Sequence, residues 1–519
     1  MKIRLVAWLL VLCFVLGGIP VSAEEPPQLS ENISDSTELV GNGYSTFGFL
    51  FDHDLLTSVP SEGNASVTLL NEKGIGYLYL IFDKAYPSYI IENIRTGQQV
   101  PIETGFLHQC IDMSEIFDDP VDAICIRFPR GKVSLNELMI YSPGQLPKDV
   151  QQWKPPAEGS TDLLLLSAHA DDDQLFYAGL LPLYAGEKGA QVQVVYLTDH
   201  QNLTSERVHE ALNGLWATGC THYPVFAPYP DFRIDDLEDT YREYERRGIL
   251  REELVEFVVE QLRRFRPQVV VGHDINGEYG HGMHMAYTDC LIEALDQAND
   301  EALYPELAKK YGIWEVPKTY LHLYEENPIV LDYDSPLSHF NDLSAFQVSQ
   351  QLGYPCHVSQ QGTWFTDWLY GKSNEITKAD EIQTYNPCQF GLYRSTVGAD
   401  VNKNDFLENI TTYQEQAYQE QLRQEEEAAR QEALEKDRLE AEKAELNRQE
   451  QERREQAKLE QERLEQERLQ QEQQRKQQNL KEKQRSFVIA SVIIAPLVLI
   501  ALIMIVRKIR SYTSRRDNI

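Results

Sequence analysis

The chain has 519 residues, 81 acidic against 48 basic, a formal charge of −33 and 42 % hydrophobic composition. At roughly 150 residues per domain the length predicts two to three units. The hydrophobic share excludes a wholly disordered chain, and the acidity excludes a phosphate-backbone binder, so no nucleic acid is expected as a partner. The acidity is uneven: almost all of it falls between Glu25 and Thr412, the segment behind is nearly balanced, and the final residues are basic.

In chain order, residues 1–23 read as a signal peptide: Met1-Lys2-Ile3-Arg4, an apolar run from Leu5 to Leu16, and small residues ending Val21-Ser22-Ala23, with an uncleaved anchor as the alternative. Residues 24–40 form a flexible lead-in. From 41 to 150 short β-type runs (Ser66–Leu70, Gly76–Phe82, Tyr89–Asn93, Ala123–Phe128, Leu138–Tyr141) alternate with turn signals, as an all-β sandwich requires. Asp52-His53-Asp54-Leu55-Leu56-Thr57-Ser58 and the run Val133 to Ser142 resemble the edges of a galactose-binding-like (discoidin-type) jelly roll. That resemblance implies carbohydrate or surface binding; a packing module without a ligand is the alternative.

Residues 160–400 change to an α/β rhythm. Leu163–Ser167, Gln191–Thr198 and Val269–Gly272 are continuous apolar runs of the kind that form buried parallel strands. Helical stretches are expected at Leu175–Lys188, Ser205–Thr218 and Leu250–Arg266. The order predicts a Rossmann-like, doubly wound sheet with its site at the carboxyl ends of the strands.

From 413 to 485 there is no Gly or Pro, and Glu recurs every five residues from Glu435 to Glu465, each followed three residues later by a base. Such pairs stabilise a helix by about 0.2–0.5 kcal/mol each. The leucines keep no heptad, so a solitary charged stalk is expected, with a coiled-coil dimer as the rival. Residues 487–506 carry no charge and are long enough for one transmembrane helix, and the basic tail 507–519 predicts a cytoplasmic end. The whole is thus a multidomain chain at the cell membrane, single-pass, with an extracellular ectodomain. After signal removal six cysteines remain and no C-x-x-C pair exists, which excludes a zinc ribbon or a redox dithiol. Cys110–Cys125 and Cys356–Cys388 are either disulfides or buried free thiols.

The chemistry lies in two clusters. After the first α/β strand comes His169-Ala170-Asp171-Asp172-Asp173, four ionisable groups whose mutual repulsion and desolvation call for a compensating cation. After the third strand comes His281-Gly282-Met283-His284, two histidines that share a face if the turn is helical. A His, a carboxylate and a second His make a three-ligand zinc site with one position open.

These residues resemble the PIG-L-type (LmbE-like) zinc-dependent N-acetylglucosamine deacetylases, whose pattern is A-H-P-D-D-E with a distal H-x-D-H. The resemblance covers about Thr161 to about Gly398 and includes Arg207, Glu210-Ala211, Gly219, Tyr354 and Ser359-Gln360. It implies His169, Asp172 and His284 as ligands of Zn2+ or another divalent metal. It further implies Asp171 as general base, His281 as the group facing the oxyanion, and Arg207 as a contact to an N-acetylated carbohydrate substrate. Three positions depart from the family. Ala170 replaces Pro, predicting a less rigid loop; Asp173 replaces Glu, predicting weaker orientation of a ligand; and Met283 replaces Asp. The rival readings are a surface glycan-binding scaffold with a degenerate deacetylase domain, or another metal-dependent amidase or esterase. Asp199-His200 either reaches the cleft or caps a helix, His322 and His357 read as satisfied core histidines, and Asp231, Asp235, Asp236, Glu238 and Asp239 read as a solvated acidic loop.

Overall fold

The computed structural model describes residues 28–103, 106–200, 205–471 and 497–505. The chain divides into two units, Met1–Tyr418 and Gln419–Ile519.

The first unit opens with eight antiparallel strands: β1 (Glu38–Tyr44), β2 (Val59–Leu70), β3 (Tyr77–Phe82), β4 (Tyr89–Asn93), β5 (Gln99–Ile102), β6 (His108–Asp112), β7 (Ala123–Phe128) and β8 (Ser134–Tyr141). Long β2 joins two layers, since Ala65–Leu70 pair with β7 while Val59 and Pro60 pair with β8. Period-2 patterning then points Leu78, Leu80 and Phe82, Leu138 and Ile140, Val67 and Leu69, and Ile124, Ile126 and Phe128 into one core. The two segments resembling jelly-roll edges meet: Asn136 Nδ2 donates to the Leu55 carbonyl at 2.7 Å, and the Ser134 and Ser58 hydroxyls are 3.1 Å apart.

The second sheet has the order β11-β10-β9-β12-β13-β15-β14. Its parallel strands are β9 (Leu163–Ser167), β10 (Val192–Thr198), β11 (Val225–Tyr229), β12 (Val269–Gly272) and β13 (Lys318–His322); β14 (Pro328–Val330) and β15 (Gln389–Ser395) close it antiparallel. Every residue of β9, β10 and β12 is buried, which is why these runs are apolar on both faces. The main helices are α1 (Glu206–Ala217), α2 (Leu237–Arg246), α3 (Arg251–Phe265), α4 (Gly282–Gln297), α5 (Pro305–Tyr311), α6 (Trp364–Tyr370) and α7 (Tyr413–Gln471). The order reverses at β9, whose neighbours β10 and β12 lie on opposite sides, so a crevice opens at their carboxyl ends.

Several expectations change. Leu175–Lys188 is not a regular helix: a 3-10 turn at Asp172–Gln174 is followed by a π-turn at Pro182–Glu187. Gly179 sits at φ +99°, with no room for a Cβ beside Tyr333, and Pro182 removes a donor, so an α-helical ladder cannot run through. Cys110, Cys125, Cys356 and Cys388 are all free thiols; Cys110 lies on β6 and Cys125 on β7, strands that do not pair. In the second unit α7 carries ion pairs at the predicted spacing, Arg438 with Glu435 and Arg448 with Glu445. Among the described residues no helix is long and apolar enough to cross a membrane. Of the predicted span 487–506 only 497–505 is described, as helix, while the signal peptide 1–23 and the tail 507–519 lie outside the described residues.

The sandwich is joined to α1 by buried polar contacts. Trp153 Nε1–H donates to Gln151 Oε1 at 2.8 Å, which orients that amide, and the same oxygen is 2.8 Å from His108 Nδ1. His108 Nδ1 therefore carries the proton, and its Nε2 accepts from His209 Nδ1 on α1 at 2.8 Å. His209 Nε2 is left buried without a partner. Ser205, at the start of α1, donates to Asp83 at 3.0 Å, and Tyr223 stacks on Phe106 at 4.4 Å. Burial pushes His209 down to about 4. An unfolded histidine titrates near 6.5, so between those values the unfolded chain binds a proton that the native ring refuses. Stability from this site is then complete above about pH 6.5 and falls as the pH drops toward 4. Melting curves from pH 7 to 4 should show His209→Gln losing less Tm over that interval than the parent protein.

Candidate metal and catalytic site

The crevice is built from the loop that leaves β9. Three successive backbone N–H groups are each taken by a side chain: Ala168 donates to His273 Nε2 at 2.9 Å, His169 to Asp172 Oδ2 at 2.9 Å, and Ala170 to His200 Nε2 at 3.0 Å. The expected loss of rigidity at Ala170 is thereby offset, because a proline there has no N–H to give. Asp199-His200 thus reaches the cleft through its histidine.

Gly282 places the second cluster. A Cβ there would run into the Thr240 side chain and the carbonyls of Ile234 and Asp236, so only glycine lets α4 begin against that loop. His281 caps α4, its Nδ1 accepting from Met283 N–H at 3.1 Å, and His284 follows inside the first turn.

The two clusters converge. His169 Nδ1 is 3.1 Å from Asp172 Oδ2 and 3.2 Å from His284 Nε2, and those last two atoms are 3.2 Å apart. The outer nitrogens face carboxylates: His169 Nε2 is 3.2 Å from Asp231, and His284 Nδ1 is 2.7 Å from Glu278. Protons on those outer nitrogens leave both inner lone pairs aimed at one point beside the Asp172 oxygen. Ligands at about 2.0–2.1 Å from a tetrahedral zinc are about 3.3–3.4 Å from one another, so the donor set fits such an ion. Electrostatics agree. Burial alone would favour neutral rings, but Asp231 and Asp172 push His169 up to about 10, and Asp172 and Glu278 push His284 up to about 9. The centre of this triangle therefore favours positive charge, which a divalent ion supplies on displacing protons.

A second group, His273, Glu278 and His284, is close enough to be considered, but its members already satisfy one another. Glu278 accepts from His273 at 2.8 Å, His284 at 2.7 Å and His322 at 2.6 Å. Burial would raise this carboxyl, yet His273 and then its other histidine partners hold it well below its ordinary range. It is the outer support of the first group.

Asp171 lies beside the triangle. Burial pushes its carboxyl up, and Arg207 Nη2, 2.8 Å away, pulls it back. Arg207 also donates to the Ala170 carbonyl at 3.3 Å, and its Nε–H is buried without a partner among the described residues. His281 stacks on His284 at 4.9 Å; burial and then the neighbouring His169 push it down to about 3, so the ring is neutral with its proton on Nε2. Tyr279, at φ 47° and ψ 23°, spans His281 and His284 with its ring at 5.3 and 5.4 Å. A non-glycine residue there costs on the order of 1–3 kcal/mol, a cost found where function constrains the backbone.

Asp173 takes no part in ligand orientation: its partners are Gln174 at 2.6 Å and Tyr196 at 3.0 Å, so its shorter reach leaves the metal triangle untouched. Met283 is buried and accepts from Tyr244. The family-like outliers meet, Ser359 donating to Glu210 through both N–H and hydroxyl at 2.6 Å. His322 is a satisfied core histidine, between Glu278 and the Asn386 carbonyl, whereas His357 is buried with neither ring nitrogen hydrogen-bonded among the described residues, so that expectation fails for it. The acidic run divides. Asp231 joins the site, Asp236 caps α2, and Glu238 and Asp239 pair with Arg242. Sequence reasoning missed His273, Glu278 and Tyr279. His273 follows the end of β12, where site residues are expected, and the other two lie between Gly277 and Gly280, both at positive φ.

Fold and site together define an α/β protein with three convergent donors, a candidate site for a divalent cation, at a sheet switch point. Residues 164–295 match the PIG-L family, described as GlcNAc-PI de-N-acetylase, and form a PIG-L domain. A 1D-myo-inositol 2-acetamido-2-deoxy-alpha-D-glucopyranoside deacetylase of Geodermatophilus obscurus is 31 % identical over 182 residues, 31 % of this chain and 60 % of that protein. A similarly named deacetylase of Catenulispora acidiphila is 29 % identical, over 32 % of this chain and 57 % of its own. The chain thus spans somewhat over half the length of these relatives. A crystal structure of a conserved protein of Thermus thermophilus aligns with 46 % of this chain and 97 % of its own, at 17 % identity and a TM-score of 0.30.

Replacing Glu278 with Gln puts an amide N–H against imidazole donors and should weaken metal binding about 10–100-fold, read by competition with a chromogenic chelator.

Proposed function

We propose that this protein is a metal-dependent hydrolase that removes acetyl groups from N-acetylglucosamine-type sugars. The observation that carries the reading is the convergence of His169 Nδ1, Asp172 Oδ2 and His284 Nε2 on one point, with Asp171 beside them, inside a PIG-L domain. Those three atoms would hold Zn2+ or another divalent ion. When bound, such an ion lowers the pKa of water toward about 7 and polarises an amide carbonyl.

The chain's own residues do the rest. Asp171, raised by burial, takes the proton of the attacking water and returns it to the amine nitrogen as the C–N bond breaks. Arg207 keeps that carboxylate in place, and its unpartnered Nε–H is a donor for a sugar hydroxyl. The neutral His281 presents Nε2–H to the oxygen on which negative charge develops. Acetate and a free amine are the products. We infer an extracellular glycan as substrate, a reading supported by the export-like N-terminal run and the apolar stretch at 487–506.

The test is acetate release from N-acetylglucosamine and its oligomers, against peptide and ester substrates, with the zinc-loaded protein. Asp171→Ala should lower kcat at least about 10²-fold while the metal content stays stoichiometric, and chelation should abolish activity that added zinc restores. Full activity in Asp171→Ala would remove the base assignment. Absence of bound metal, with glycan binding retained, would favour a scaffold.

A further inference from the structure

Five tryptophans lie within the described residues, and four give their indole N–H to the fold: Trp153 to Gln151, Trp216 to the Lys148 carbonyl, Trp314 to the Pro267 carbonyl and Trp368 to the Thr384 carbonyl. Trp364 differs. Its N–H has no partner among the described residues, and the residue is 42 % exposed although it packs on Phe365 at 4.2 Å. It starts α6, within the long connection between β14 and β15 that lies outside the 164–295 family match.

Its position relative to the chemistry is set by one residue. Trp364 meets Tyr279 edge to face at 5.4 Å, and the same Tyr279 ring lies 5.3 Å from His281 and 5.4 Å from His284. The tyrosine hydroxyl is hydrogen-bonded to nothing among the described residues. A strained tyrosine, whose ring also packs on Phe176 and Phe365, and an exposed tryptophan therefore form a corner beside the three convergent donors, with an exposed indole and two unused donors. Amphipathic rings of this type bind ligands that offer an apolar face together with polar edges. A pyranose ring does so, with C–H bonds on its face and hydroxyls at its rim.

We propose that Trp364 is the platform of a second sugar subsite, holding the residue adjacent to the N-acetylglucosamine that reacts, so that the preferred substrate is an oligosaccharide. The inference rests on the deacetylase reading of the neighbouring centre. The charge around it selects among glycans. Asp171 and Asp231 are paired with Arg207 and His169, but Asp367 lies one turn along α6 and adds negative charge near the indole, so the corner disfavours acidic sugars. It suits neutral residues or ones already deacetylated, whose ammonium group is attracted to an indole face.

The experiment compares N-acetylglucosamine with its β-1,4-linked trimer on the zinc-loaded full chain, for the parent, Trp364→Ala and Trp364→Phe. The parent should prefer the trimer at least about tenfold in kcat/KM. Trp364→Ala should lose most of that preference through KM with monosaccharide kcat unchanged, and Trp364→Phe should keep much of it. Binding of the trimer to Asp171→Ala and to Asp171→Ala/Trp364→Ala, by calorimetry, separates the two readings. Trimer binding that depends on Trp364 supports the subsite even if no acetate is released, an outcome that would overturn only the deacetylase reading. No chain-length preference, equal trimer binding with and without Trp364, or a Trp364-dependent preference for an octyl glycoside over the trimer would each overturn the subsite.

Discussion

The cleft depends on one buried carboxylate. Glu278 is fully buried and accepts from His273 at the end of β12, His284 in the first turn of α4 and His322 at the end of β13, with the Asp274 N–H at 3.2 Å as a further donor. Four groups from three elements are thus tied to two oxygens. An isolated buried carboxylate would be costly to ionise; here the surrounding donors make the charged form the stable one. The same arrangement decides which nitrogen of His284 faces the metal triangle, because the proton shared with Glu278 lies on Nδ1. Position and tautomer of His284 therefore follow from a single interaction, and the strand ends that flank the crevice are tied to each other by it.

The other half of the triangle is organised from the backbone. The N–H groups of Ala168, His169 and Ala170 are each spent on a side chain, so the loop after β9 is held at three consecutive points. His273 belongs to both halves, since its Nε2 receives Ala168 while its Nδ1 gives to Glu278. A rigid proline is one way to hold such a loop, and an N–H bonded to His200 is another.

Much of this was legible in the sequence, for identifiable reasons. Strands β9, β10 and β12 stand out because parallel strands covered on both faces must be apolar throughout, and α1 and α3 keep a clear helical period. His169, Asp172, His281 and His284 were visible because each cluster is contiguous. Glu278, His273 and Asp231 were not, since what makes them part of the site is a contact across 62 or 105 positions or a loop with no periodicity. The run at 175–188 misled because its composition is helical while Gly179 and Pro182 interrupt the ladder. Strand β2 runs longer than its apolar stretch because Val59 and Pro60 are recruited by β8 and not by their own pattern.

Helix α1 shows how the parts outside the family-like segment bear on the chemistry. Its Arg207 holds Asp171, its Glu210 receives Ser359 from the region before α6, and its His209 and the preceding Ser205 reach the sandwich through His108 and Asp83. A helix turns about 100° per residue, so Arg207 and Glu210 share one face while His209 points away from it, and the helix is held from two sides. Asp171, the proposed base, is thereby positioned by contacts from the sandwich, from the sheet and from the connection that carries Trp364. Such an arrangement makes the sandwich a structural wall of the α/β unit, and it places the segment bearing the exposed indole and the guanidinium that steadies Asp171 on a common support.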